Sequence, residues 1–162
     1  MSQSFLARMT GAALLDIETF EDVEHDPTAT LQAAGVVAMV AVATAIGASP
    51  LGGFGAVRGA LAALVGWLVW AGITYLVGQK IFDGSATWGE LLRTLGFAQA
   101  PGLLLILGFF PLLGWFLNLL VPLWMLVAAF IAIRQALDFG NGKTLATVAV
   151  GWLAYACLTY FL

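Results

Sequence analysis

Charged residues are scarce in this chain. Asp, Glu, Lys and Arg together make up 9% of its 162 residues, whereas they make up about 25% of an average soluble domain. Only six residues are Lys or Arg, so the chain has no electrostatic basis for binding nucleic acid. The net charge of −3 comes from an acidic stretch near the N-terminus and not from a bias of the whole surface.

Side chains that carry chemistry are also nearly absent. Cys157 is the only cysteine and His25 the only histidine, so the sequence excludes an internal disulfide and the usual metal sites. The apolar runs contain no Asp, Glu or His in their interiors, so no intramembrane catalytic pair is apparent and an ion-coupled transporter, which generally needs such residues for its proton relay, is disfavoured. We therefore expect a protein that is not an enzyme and that has no catalytic residues, metal or cofactor.

Apolar residues are abundant, at 62% of the chain, and they form runs of about the 20 residues that a helix needs to cross a bilayer. The sequence predicts an all-α polytopic membrane protein with five transmembrane helices, at about residues 27–48, 56–79, 88–108, 112–134 and 144–162. The link between the third and fourth runs is short and uncharged, so these two could instead form a re-entrant hairpin.

Residues 1–26 precede the first span as an N-terminal segment. Apolar residues at three- and four-residue steps predict an amphipathic helix over residues 3–24. Such a helix could lie on the membrane surface or pack on the ends of the spanning helices. At the third span, Thr87 and Glu90 have the spacing of a capping box.

Small residues recur on one face of each of the first two spans and predict close helix packing. They are Ala34, Ala38, Ala41 and Ala45 in the first span, and Gly59, Ala63 and Gly66 in the second.

Two prolines lie inside the third and fourth spans, at a similar depth of roughly 18–20 Å from one membrane face. Pro101 and Pro122 each free a helical carbonyl group, and Gln99 and Asn118 are the nearby amides. This arrangement predicts either a polar pocket or hinge between the two spans, or ordinary kinks that neighbouring helices repair.

A charged cluster is predicted at the same end of these two spans. Glu90 and Arg93 share one helix face, and so do Arg134 and Asp138. Arg93 either extends toward the lipid headgroups or belongs to a salt-bridged network that forms a cytoplasmic docking surface. A cytoplasmic N-terminus places five of the six basic residues in the cytoplasm, which favours that orientation with the C-terminus outside.

Short motifs give the chain a family resemblance. The sequence Gly96-Phe97-Ala98-Gln99-Ala100-Pro101 is similar to the Gly-Tyr/Phe-x-x-x-Pro element of the Yip-domain family, named for Ypt-interacting proteins. Glu90, Arg93, the Asp26-Pro27 pair and the segment 110–114 look like the bacterial branch, and the resemblance covers roughly residues 15–160.

The resemblance implies a multi-spanning membrane scaffold. Eukaryotic members interact with Rab-type GTPases in vesicle traffic, but their Asp-Leu-Tyr-Gly-Pro element has no counterpart here and the N-terminal segment is short. Both departures argue against binding of a small GTPase.

We therefore expect a non-enzymatic scaffold or adaptor in a bacterial inner membrane, with membrane lipids and other membrane proteins or its own copies as partners. The alternative is a small-solute or lipid transport protein, or a channel subunit. It would use the kinked region around Gly96, Phe97, Gln99 and Asn118, and a water-accessible cavity reaching the two amides would favour it.

Overall fold

The computed structural model describes residues 3–48 and 53–161, and every regular element within these ranges is helical. The α-helices are α1 (Phe5–Ala13), α2 (Ile17–His25), α3 (Ala29–Ala48), α4 (Gly53–Lys80), α5 (Trp88–Phe97), α6 (Pro111–Ala136) and α7 (Asn141–Phe161). A 3₁₀ helix, Ala100–Phe109, lies between α5 and α6. The prediction of an all-helical fold is confirmed.

Two helices take the place of the single helix predicted over residues 3–24. The chain reverses at Leu15, which has a φ of 64°, and the side chain of Asp16 then caps α2 by accepting a hydrogen bond from the amide of Thr19 at 3.2 Å. A carboxylate at this position satisfies a free N–H group and favours a new helix start over continuation of α1. We call α1, the turn and α2 the N-terminal hairpin (residues 5–25).

The remaining helices form one bundle. Helix α3 packs against the 3₁₀ helix, α4 and α5, while α6 packs against the 3₁₀ helix and α5. Helix α7 lies mainly against α4, and α2 contacts α5 and α6. Side chains of Val36, Leu91, Leu95, Phe97 and Ile133 are fully buried in the shared core. The hairpin therefore covers one end of the bundle, which we call the hairpin end.

Three stretches of the described residues are long and apolar enough to cross a membrane: Ala29–Gly47, Trp88–Phe109 and Leu112–Ala136. Large apolar side chains point outward from the last of these, including Leu112 and Trp115. Apolar surface of this extent is stable when lipid covers it, and these helices make the chain a multi-pass membrane protein.

The segment predicted as one continuous span at residues 88–108 is divided. Helix α5 ends at Phe97, and the 3₁₀ helix begins at Ala100 with Pro101 in its first turn. Proline lacks an N–H donor and disfavours the α conformation of the preceding residue, so it is better placed at a helix start than inside a helix. Pro122, in contrast, lies within the continuous helix α6.

Candidate functional site

Arg8 is the centre of a buried polar network at the hairpin end. Its side chain is 1% exposed, although it lies on a helix with no other charged residue. The guanidinium Nε donates to Asp22 Oδ2 at 2.8 Å and Nη2 donates to Asp26 Oδ2 at 2.6 Å. A third bond runs from Nη1 to Gln32 Oε1 at 3.1 Å. One side chain thus fastens α1 to α2 and to the beginning of α3.

The network shifts the protonation of its members. Burial alone would lower the pKa of Arg8, but the hydrogen bonds to Asp26 and Asp22 outweigh burial and raise this pKa above its usual value. Hydrogen bonds from Thr28 and from Arg8 lower the pKa of Asp26 to about 2. Arg8 and Asp26 are therefore both charged at neutral pH, so the ion pair between them persists over the whole physiological range.

Arg93 makes a second connection between the hairpin and the bundle. It is buried on α5 and donates from Nε to the carbonyl oxygen of Val23 at 3.1 Å and from Nη2 to that of Glu24. These carbonyls belong to the last turn of α2, where no helical N–H is available to them. A guanidinium at this position satisfies both groups and complements the negative end of the helix.

The predicted charged cluster is distributed over several local contacts. Arg93 binds backbone carbonyls and not the carboxylate of Glu90. The ion pairs found among the described residues are the two that Arg8 makes with Asp22 and Asp26. The Glu90 carboxylate accepts from the amide of Thr87 at 2.8 Å, which completes the predicted capping box. Asp138 accepts from Ser85 Oγ at 3.1 Å, and Arg134 is exposed at the end of α6.

Two titratable groups at the end of α2 have raised pKa values. Burial raises the pKa of the Glu24 carboxyl, and the nearby carboxylates of Glu90 and Asp138 act in the same direction against the opposing effect of His25. The backbone carbonyl of Glu21, which lies 2.8 Å from His25 Nδ1, raises the pKa of the imidazole. Burial and the carboxylates of the bundle act on Glu24, whereas the main groups that act on His25 belong to α2 itself.

A cavity of about 410 Å³ lies between α4, α6, α7 and the junction of α5 with the 3₁₀ helix. Two residues of the predicted kinked region, Gln99 and Pro122, line it. The other lining side chains are apolar or aromatic and include Trp67, Trp70, Leu105, Met125 and Trp152. Trp67 Nε1 donates to the carbonyl of Leu92 at 3.1 Å, so its ring is fixed in the cavity wall.

Three other residues of the predicted polar region lie outside this cavity wall. The Asn118 side chain is exposed on α6 and donates to the carbonyl of Gly114 at 2.8 Å within its own helix. Pro101 is buried at the start of the 3₁₀ helix. Phe97 is fully buried and packs edge-to-face on Phe5 of α1, with ring centroids 6.3 Å apart. The two amides therefore do not share one polar pocket.

Gly96 is a site of close approach between α3 and α5. A Cβ atom at this position would lie 2.7 Å from Cβ of Ala33, a distance that real side chains do not reach. A glycine is therefore needed here for the two helices to pack at their observed separation.

The predicted small-residue faces have different surroundings. On α3, Ala41 is buried, Ala34 and Ala45 are partly buried, and Ala38 lines an open groove beside Leu103 of the 3₁₀ helix. On α4, Ala63 and Gly66 line the cavity, and the surroundings of Gly59 lie outside what the structure describes.

Sequence reasoning missed the role of Arg8 and its partners. It counted Arg8 only as a basic residue that fixes orientation. The available signal was an arginine among apolar positions of an otherwise uncharged helix, because an arginine at such a position is buried only when it is paired.

One of three comparisons with known proteins finds a match. The model of the Yip1 domain family matches residues 17–162, whereas no curated protein and no solved structure matches the chain significantly. The matched region contains α2 and all helices of the bundle. It therefore includes Arg93 and the end of α2, to which Arg93 donates its hydrogen bonds. Because the match covers most of the sequence, the chain belongs to the Yip1 domain family, a family of membrane proteins.

Proposed function

We propose that the chain is a non-enzymatic scaffold or adaptor of a bacterial inner membrane that assembles with its own copies or with other membrane proteins through the N-terminal hairpin. The observation that supports this most is the buried Arg8 network, which holds α1 on α2 and reaches the beginning of α3 through Gln32. A docking surface that is already held in one conformation pays less ordering entropy when a partner binds.

Further contacts support a fixed hairpin. Trp124 Nε1 on α6 donates to the carbonyl of Ala13 at the end of α1, at 2.8 Å. Gln135 Nε2, also on α6, donates to the carboxylate of Glu21 on α2 at 3.1 Å. Together with Arg93, these bonds attach both helices of the hairpin to the bundle independently of Arg8.

The proposal places five spans in the membrane. Helices α4 and α7 have 28 and 21 residues, and about 20 residues suffice to cross the hydrocarbon core. Counting α4 and α7 with the three stretches described above gives five spans. In this proposal, residues 27–162 form the transmembrane domain and residues 1–26 form the N-terminal segment. The excess of Lys and Arg at the hairpin end favours a cytoplasmic position for that end.

The two faces of the hairpin suggest how it lies at the membrane surface. The outward side chains of α1 are uncharged, and Leu6 and Leu14 are 65% and 76% exposed. The outward side chains of α2 include the charged Glu18 and Glu21. An interfacial position, with α1 toward the acyl chains and α2 toward water, accommodates both faces and leaves α2 accessible to partners.

Transport of a solute has less support from the geometry. Gln99 is the only residue with an amide or charged side chain among the described residues that line the cavity, and Asn118 lies elsewhere. A polar route across the bundle would need several such groups in succession.

Site-specific photocrosslinking in native bacterial membranes tests the scaffold proposal. A benzoylphenylalanine at position 18, where Glu18 is exposed on α2, should form an adduct with a membrane protein or with a second copy. The same probe at position 119, where Leu119 is exposed on α6, serves as the lipid-facing control and should give a lower protein yield. The Arg8→Met substitution should reduce the adduct at position 18.

Two results would contradict the proposal. One is a protein yield at position 18 no higher than at position 119. The other is an adduct at position 18 that persists unchanged when Arg8→Met is present and hydrogen exchange shows the hairpin to be released.

A further inference from the structure

The cavity beside Gln99 carries an inference that goes beyond the scaffold role. We propose that it binds a neutral, ring-bearing lipophilic molecule with a hydrogen-bonding oxygen, which enters from the lipid and is held by the amide of Gln99.

The position of Gln99 is the first argument. Gln99 lines the cavity together with Pro122, which is 12 residues from Arg134 at the end of α6. At 1.5 Å per residue this is about 18 Å of helix, close to the middle of a hydrocarbon core of about 30 Å. A primary amide at this depth requires hydrogen-bond partners. Its side chain has no hydrogen bond to any of the described residues, so a bound group would supply one.

The lining defines the chemistry of that bound molecule. No charged side chain is among the described lining residues, so the ligand is neutral. Trp67 and Trp70 present indole rings and Met125 a thioether, all of which favour contact with a planar ring. The volume of about 410 Å³ falls within the usual range of small-molecule sites, about 300–1,000 Å³.

An ordinary phospholipid satisfies this site poorly. Its oxygen atoms lie at the membrane surface, and at the depth of Gln99 it offers only an acyl chain, which cannot accept from an amide. A carbonyl or hydroxyl group on a hydrophobic ring can lie at this depth. The proposal therefore commits to a ring-bearing lipophile and makes acyl-chain occupancy an outcome of the test.

The opening of the cavity indicates the route of entry. Leu123 on α6 and Trp152 on α7 line the cavity and are each 54% exposed on the outer surface of the bundle. Both residues lie in the middle portions of their helices, so the opening faces sideways between α6 and α7. A ligand would reach it from the surrounding lipid and not from the aqueous phase.

The test uses the full-length protein in phosphatidylcholine nanodiscs with menadione, a neutral quinone that quenches tryptophan fluorescence. Saturable quenching is expected, because tryptophans line the site. The Gln99→Leu substitution should weaken binding by about tenfold, the effect of one hydrogen bond in an apolar site. The matched control Asn118→Leu removes an amide outside the cavity and should leave the affinity unchanged.

A second variant keeps the test decisive if Gln99→Leu fails to fold. Ala63 lines the cavity from α4, and Ala63→Phe should fill the space and abolish saturable quenching. Linear, unsaturable quenching of the unsubstituted protein overturns the proposal, and so does equal affinity in Gln99→Leu and Asn118→Leu. Strong quenching by dibrominated phosphatidylcholine that Ala63→Phe abolishes, with no saturable quenching by menadione in ordinary nanodiscs, assigns the cavity to an acyl chain and also overturns the proposal.

Discussion

Replacing Arg8 with methionine should loosen the N-terminal hairpin, because it frees α1 from α2 and from the beginning of α3. The substitution keeps an apolar stem of similar length but removes all three hydrogen bonds of the guanidinium. It leaves the carboxylates of Asp22 and Asp26 facing one another without their shared partner. Because these groups carry like charges, the docked hairpin would be destabilised by their repulsion as well as by the lost bonds.

The magnitude follows from burial. Removing one partner of a buried ion pair costs about 3–5 kcal/mol, and each hydrogen bond to a charged group contributes about 1.5–3 kcal/mol. The carboxylates of Asp22 and Asp26 are 24% and 21% exposed, so water would solvate them in part after the substitution. We therefore expect docking of the hairpin to lose about 2–4 kcal/mol, toward the lower end of these contributions.

Hydrogen exchange of the protein in nanodiscs measures this loss. Peptides that cover residues 5–25 should exchange at least about 30-fold faster in Arg8→Met, since 1.4 kcal/mol corresponds to a factor of ten. Arg8→Lys keeps the charge but cannot donate to three separated acceptors, so it should give an intermediate effect. Arg134→Met is the matched control, because it removes a positive charge from an exposed position at the end of α6.

Equal exchange of the hairpin in Arg8→Met and Arg134→Met would refute the reasoning. It would mean that the bonds from Arg93, Trp124 and Gln135 hold the hairpin alone.

Three further perturbations test other parts of the structure. Thr87→Ala removes the cap of α5 and should lower the free energy of unfolding by about 1 kcal/mol, measured by denaturation in mixed micelles. Gly96→Ala should cost about 1–3 kcal/mol by forcing α5 away from α3, whereas Gly142→Ala, which has open space around it, should be close to neutral in the same assay. Because Glu24 and His25 have raised pKa values in the folded hairpin, acidification should stabilise it. The His25 contribution is complete below 6.5 and is lost as pH rises through its folded pKa, while the Glu24 penalty disappears as pH falls toward 4.5. Exchange of residues 17–25, corrected for intrinsic rates, should therefore be slower at pH 5 than at pH 8, and the opposite trend would contradict this assignment.

Local patterns in the sequence predicted the features that depend on neighbouring residues. The apolar runs indicated the helices because a helix in lipid must be covered by apolar side chains over its whole length. The capping box at Thr87 and Glu90 followed from a three-residue spacing and is confirmed, with both of its hydrogen bonds present. These signals act within one turn of helix, so they can be recognised without knowing the fold.

Features that depend on distant residues could not be predicted in the same way. Arg8 binds partners 14, 18 and 24 residues away, and these meet only because the chain reverses at Leu15. A leucine with positive φ is uncommon, so nothing in the sequence marked a turn at Leu15. The apolar periodicity therefore predicted one helix that runs through this position. One of the two alternatives for the kinked region placed Gln99 and Asn118 in a shared polar pocket, because the prolines near them lie at similar depths. Their helices instead place the two side chains on different surfaces, and depth alone does not determine which surface a residue occupies.

The family-like segment at residues 96–101 gains a physical explanation from the contacts of its individual residues. Gly96 permits α5 to touch α3 at Ala33, and Phe97 packs against Phe5 of the hairpin. Gln99 then lines the cavity, and Pro101 begins the 3₁₀ helix. Within this short segment, different residues therefore contact the hairpin, the centre of the bundle and the lateral cavity. Each position requires a different residue type. Gly96 leaves room for a close helix contact, the aromatic ring of Phe97 fills the space beneath α1, and Pro101 favours a new helix start. Substitution of Phe97 should consequently weaken hairpin docking and substitution of Gln99 should weaken cavity binding, although only one residue separates them.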